Sequence, residues 1–136
     1  MITLADIPND ILAAIKEHAV ACYPSECCGV LFSRENSPLM FMACRNVEDA
    51  PEHGFRVGSA DLEVIASLVR DRNRVAVIYH SHVDQPATFS ERDKHFAKAW
   101  PLTLHLVFAV TKQGVIAQHA YTSLGACVDE PVMESA

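Results

Sequence analysis

Val75-Ala76-Val77-Ile78-Tyr79 is an unbroken apolar run that ends on a histidine. A strand points successive side chains to opposite faces, so a strand apolar at every position is buried on both. Such a strand belongs inside a sheet that carries a packed layer on each side. The expected class is therefore α/β (or α+β): a single domain with a mixed central sheet flanked by helices.

The remaining pattern reads α-β-β-α-β-α-β-β. Pro8 suits the first position of a helix, where its missing N–H costs nothing. Ile11, Leu12, Ile15 and Ala19 recur at helical spacing, and Tyr23-Pro24-Ser25 ends the helix near Cys22. Residues Cys27 to Phe32 and Leu39 to Cys44 read as a strand pair across a turn at Arg34 to Pro38. Arg45 to Gly54 is loop, with a brief strand at Phe55 to Val57. Ser59 is placed as the cap of a second helix, whose buried stripe is Leu62, Ile65 and Val69. After Tyr79, His80 to Phe89 is expected as loop and Ser90 to Ala99 as a third helix. Leu102 to Val110 and Val115 to Tyr121 form a second hairpin at Lys112-Gln113-Gly114. The domain is set at residues 1–124, with 125–136 as a frayed tail.

Composition narrows the partners. Lys and Arg total 11 against 17 Asp and Glu, a net charge of −6. An acidic domain repels phosphate backbones and anionic lipid, so nucleic acid and membrane surfaces are not expected partners. No apolar run approaches the ~18 residues of a membrane span, and the start of the chain lacks the basic and apolar regions of a signal peptide. The expected location is cytoplasmic. The 5 cysteines fit that, being odd in number and lacking a Cys-x-x-Cys pair. Each is read as a small buried hydrophobe.

The chemistry concentrates between His80 and Asp93. His80 and His82 stand two apart at the end of the buried strand and share one of its faces. A carboxylate from the following helix could join them, giving two imidazoles and one acid with a position left open, the pattern of a catalytic zinc site. Ser90-x-x-Asp93 has a purely structural reading as well, a capping box at a helix start. The full pattern His-x-His-x7-Ser-x-x-Asp arises by chance in roughly one in a thousand chains of this length. Both readings of Ser90 are compatible, since one cap can also present Asp93 to a metal. Glu26, where a polar turn enters the first strand, stands at a sheet end and is the candidate general base.

These residues resemble the JAMM/MPN-plus metalloprotease family in its compact bacterial form. That signature, a Glu on the first strand followed by His-x-His-x7-Ser-x-x-Asp, is filled by Glu26, His80, His82, Ser90 and Asp93. The segment from His18 to Gly29 and the stretch from Asn46 to Asp61, with Phe55 inside it, are also similar, and the resemblance runs from Ile7 to about Tyr121. Val83 and Phe89 stand where many members carry proline. The resemblance implies one Zn²⁺ held by His80, His82 and Asp93, which polarises the scissile carbonyl and acidifies a water. It implies Glu26 as proton carrier and Ser90 as donor to the oxyanion. Glu52 and Phe55 are expected to border the substrate groove. The implied partner is a ubiquitin-like or sulfur-carrier protein with a Gly-Gly tail.

Other readings were weighed against this one. A thiol hydrolase using Cys27 or Cys28 conflicts with their buried strand position. A non-haem iron oxygenase would use the same ligand types but calls for a many-stranded barrel. A non-catalytic binding module and a phage tail-assembly peptidase remain as alternatives. His95 is a candidate to support the metal ligands from behind, and Ser81 is expected to point away from them.

Overall fold

The computed structural model describes residues 2–129. A short 3-10 turn at Leu4–Asp6 precedes α1 (Asn9–Cys22), β1 (Cys28–Ser33), β2 (Met40–Cys44), α2 (Ser59–Arg70), β3 (Arg74–Val83), α3 (Glu91–Ala97), β4 (Leu104–Thr111) and β5 (Gly114–Tyr121). The strands form one sheet in the order β2-β1-β3-β4-β5. Only β3 and β4 run parallel; the other neighbours are antiparallel. This is the mixed sheet expected of the chain. A parallel pair needs a crossover, and the segment containing α3 supplies it.

β3 is central, and its alternation sorts the domain into layers. Val77 and Tyr79 join Ile15 and Ala19 of α1 in one core, with Leu31, Leu106 and Phe108. Ile78 belongs to the other core, with Val30, Phe32 and Ile65 of α2, against which Phe55, Phe96 and Trp100 pack. Tyr79 is fully buried, yet its hydroxyl lies 2.7 Å from His18 Nδ1. Burial raises the phenol's pKa and lowers that of His18, so both stay neutral and share one hydrogen bond. Gly29 stands opposite Tyr79 on β1 and leaves room for the ring.

Several details differ from expectation. Pro8 is the cap of α1 rather than its first residue, and of the expected buried stripe of α2 only Ile65 is buried, while Leu62 and Val69 are exposed. β3 continues through His80 to Val83, where a loop was expected, because β4 pairs alongside it from Val77↔Leu104 to Val83↔Val110. The histidines therefore sit on a ladder rather than a loop. Gly58, not Ser59, is the cap of α2. The brief strand at Phe55 to Val57 is reduced to a single bridge, Asn46↔Val57. The fraying expected after Leu124 does not begin there. Val128 N–H donates to the Ala120 carbonyl at 2.8 Å and Cys127 bridges Tyr121, so the chain folds back on β5. The rest of that expected tail, from residue 130, lies outside the described residues.

A Cβ on Gly29 would stand 2.3 Å from the Tyr79 ring, far inside van der Waals contact. Gly29→Ala is expected to destabilise the fold by about 1–3 kcal/mol, the usual range for core overpacking. Urea unfolding would register this as a lower midpoint at unchanged slope; an unchanged midpoint would contradict the packing.

Candidate metal centre

Three elements bring the site together. β3 directs His80 and His82 to the α2/α3 side of the sheet, two residues apart on one face. α3 starts at Glu91 with Ser90 as its cap: Ser90 Oγ accepts the Asp93 N–H at 3.0 Å, and Asp93 Oδ2 accepts the Ser90 N–H at 3.0 Å. The capping box thus exists, and it aims Asp93 at the histidines. Asp93 Oδ1 lies 3.1 Å from His80 Nε2, and Asp93 Oδ2 lies 3.0 Å from His82 Nε2. The two Nε2 atoms are 3.2 Å apart. His80 and Asp93 are buried, so this polar group is held mostly away from water.

The third element is the entry to β1. Ser81 points away from the histidines, as expected. Its Oγ accepts the Cys27 N–H at 2.8 Å, and its own N–H donates to the Cys27 carbonyl at 3.1 Å. That double link fixes the chain beside Glu26. The β1–β3 register, carried beyond Cys28↔His80, sets Glu26 opposite His82. Glu26 is only 6% exposed. Burial pushes its carboxyl up to about 7, against the opposing pull of His82.

Burial by itself would also raise Asp93. Its hydrogen bonds with His80 and His82 outweigh that and hold the carboxyl well below the usual range. Burial lowers His80, whereas for His82 the Asp93 carboxylate overcomes burial and raises it. An anion between two imidazoles is the arrangement a divalent cation requires.

The donors fit a zinc-type ion. His82 Nδ1 donates to the Pro86 carbonyl at 2.8 Å, which leaves Nε2 as the ring nitrogen that faces Asp93 and that a metal would take in place of a proton. A tetrahedral zinc with bonds of about 2.0–2.1 Å has ligand–ligand edges of about 3.3 Å. The Nε2–Nε2 separation of 3.2 Å is close to that edge, and each Nε2 has one Asp93 oxygen, Oδ1 for His80 and Oδ2 for His82, at 3.1 and 3.0 Å.

The triad opens into a cleft of about 590 Å³ lined by Glu26, Glu52, Phe55, Ser90 and Asp93, with an apolar floor that includes Ile65, Ile78 and Trp100. Phe55 stacks on the His80 ring with centroids 4.7 Å apart and meets Phe96 edge-on at 5.2 Å. It is thus both a cleft wall and a support for a histidine. Glu52 and His95 are exposed on the rim.

Asn46 received no role from its residue type, yet it organises the loop over the site. Its Nδ2 donates to the Glu26 and Gly54 carbonyls at 3.0 Å each, and its Oδ1 accepts from Glu48 and Arg56 N–H groups, also at 3.0 Å. Arg92, on the cleft wall, pairs with Glu48, which also meets Arg56. An asparagine between a strand and a polar loop is the available signal; most of its partners lie within ten residues, and only its bond to Glu26 reaches another part of the chain. His105 carries no motif signal in the sequence; it is 2% exposed beside Phe89, and its Nε2 has no partner among the described residues.

Residues 8–122 match the family described as prokaryotic homologs of the JAB domain. With the layered sheet and the His-His-Asp group already in hand, the chain belongs to that family. It is 36% identical over 94 residues to the tail tip assembly protein K of Escherichia phage N15, covering 69% of this chain and 37% of the phage protein. It thus spans little more than a third of that relative's length. It is 30% identical over 96 residues to the desampylase of Pyrococcus furiosus, covering 71% of this chain and 68% of that enzyme. In structure it is similar to a JAB1/MPN domain protein from Archaeoglobus fulgidus, with a TM-score of 0.54, 18% identity and coverage of 88% and 90% of the two chains. Among the described residues, no helix is long and apolar enough to cross a membrane.

Burial lowers His105 from its ordinary value to about 4. A histidine that is neutral when folded and protonated when unfolded contributes stability above its unfolded pKa of about 6.5, and loses it as pH falls toward 4. The share is about 3 kcal/mol. His105→Phe should therefore flatten the fall in urea midpoint between pH 7 and pH 4. Equal slopes in the two proteins would show that His105 carries none of it.

Proposed function

We propose that the chain is a zinc metallopeptidase of JAMM type. It hydrolyses the peptide or isopeptide bond that follows the C-terminal Gly-Gly of a ubiquitin-like or sulfur-carrier protein. The observation that carries the reading is the convergence of His80, His82 and Asp93 within one cleft that also holds a buried, raised-pKa Glu26. The likeness to a desampylase supports a partner of the ubiquitin-like class.

His80 Nε2, His82 Nε2 and an Asp93 oxygen would hold Zn²⁺, which would supply a Lewis acid able to polarise a carbonyl and to bring the pKa of a water toward ~7. The Glu26 carboxylate accepts the proton of the attacking water and returns it to the leaving amine. Burial raises its proton affinity, which favours its carrying the proton between the two steps. Ser90 Oγ already accepts from Asp93 N–H, so its own proton is directed to the oxyanion that develops on the scissile carbonyl. Phe55 and the Asn46-held loop keep the ligands and Glu26 in position. A Gly-Gly tail brings no side chain against the rim residues Glu52 and Phe55. The reading includes a cytoplasmic setting, where cysteines stay reduced; no disulfide occurs among the described residues.

The phage relative favours a second reading, in which the same peptidase chemistry serves tail-tip assembly. The two differ in substrate and share the site.

Elemental analysis of the full chain beside Asp93→Ala is the first test. The variant should lose one zinc per chain relative to the wild type. Glu26→Gln should keep that zinc and lower cleavage of a Gly-Gly-linked carrier fusion by about 10²–10⁴-fold. A zinc content unchanged by Asp93→Ala would overturn the metal site. Retained metal with no cleavage by the wild type would make the chain a binding module.

A further inference from the structure

The ribbon that folds back on β5 creates a second group of ligand-type side chains. Thr122 N–H donates to the Ala126 carbonyl and Gly125 N–H to the Thr122 carbonyl, both at 2.9 Å, which closes the turn. Gly125 adopts a φ of 90°, a left-handed conformation that glycine reaches without strain. The antiparallel bridge Tyr121↔Cys127 then sets His119 opposite Asp129. Residues two apart share a face, so His119, Cys127 and Asp129 emerge on the same side of the ribbon.

Their donor atoms converge. Asp129 Oδ1 lies 3.1 Å from Cys127 Sγ and 3.5 Å from His119 Nδ1. All three donors lie within 4.8 Å of one another. The Ala120 N–H donates to Asp129 Oδ1 at 3.0 Å and holds the carboxylate in place. His119 Nδ1 is itself buried and has no hydrogen-bond partner among the described residues. It is an imidazole nitrogen aimed at a carboxylate that it does not properly bond.

We propose that His119, Cys127 and Asp129 form a second transition-metal site, which takes a divalent cation of the zinc class through Nδ1, Sγ and Oδ1. A tetrahedral ion with bonds of about 2.0–2.3 Å to N, O and S has edges of about 3.3–3.6 Å, near the two separations seen. A thiolate beside an imidazole selects zinc-like metals over Mg²⁺ and Ca²⁺, which prefer all-oxygen sites. Binding displaces the Cys127 thiol proton to solvent and leaves the fourth position to water. The site shares no ligand with His80, His82 and Asp93 and does not depend on the peptidase reading. Its effect is to staple residues 125–129 across the edge of β5 and so to close that end of the sheet.

Co²⁺ titration of the reduced full chain tests this. A thiolate ligand gives a sulfur-to-cobalt charge-transfer band in the near ultraviolet, which the His-His-Asp group cannot give. The expected result is two equivalents bound, one of them with the band. Cys127→Ala and His119→Ala should each lose the band and one equivalent while keeping the other, which also reports that they are folded. Asp93→Ala should keep the band. Uptake by the wild type without the band, or a band that survives Cys127→Ala, overturns the second site. One equivalent with the band would uphold it and count against the peptidase site instead.

Discussion

Everything in this domain hangs on the pairing of β3 with a strand on each side. β1 pairs with its first part and β4 with its second, overlapping from Val77 to His80, which lets the strand from Val75 to Val83 run through the interior. A buried strand without those ladders would leave its amides unpaired, at a free-energy cost that no core of this size could offset. Once the ladders exist, alternation does the rest. Tyr79 turns to α1 and contacts His18, while His80 and His82 turn to α2 and α3. The core and the candidate site are thus two faces of one strand.

That arrangement explains how a chain can keep a buried carboxylate. Asp93 is a poor residue to bury alone, because desolvation disfavours its charged form. Here it accepts the Ser90 N–H at the start of α3 and faces two imidazoles. The helix cap and the ligand set are one structure, and neither reading of Ser90-x-x-Asp93 displaces the other. Glu26 shows the opposite balance. It is buried with weaker compensation, so its proton affinity rises to the neutral range.

The back-folded ribbon after Tyr121 shows how little sequence pattern signals a short edge element. Gly125-Ala126-Cys127 has no periodicity to read. Its conformation comes from backbone bonds to β5 and from Cys127 and Tyr121 sharing a bridge. The Asn46 loop likewise has no periodicity; its order comes from side-chain bonds to the loop's own Pro51 and Gly54 carbonyls and to the Glu26 carbonyl at the entry to β1.

Hydrophobic periodicity and fixed motif spacing are local properties, so the element order, the central Val75–Tyr79 run and the family resemblance are legible along the chain, and so are His80, His82 and Asp93. That the histidines ride on a paired strand rather than a loop is not legible there, since β4 lies more than twenty residues away; it comes from folding. Only the tertiary structure decides that Phe55 stacks on His80, that Asn46 holds the Glu26 backbone and that His119 meets Asp129. Each of these depends on register or packing between distant segments, and a linear sequence carries no direct record of which distant segments will touch.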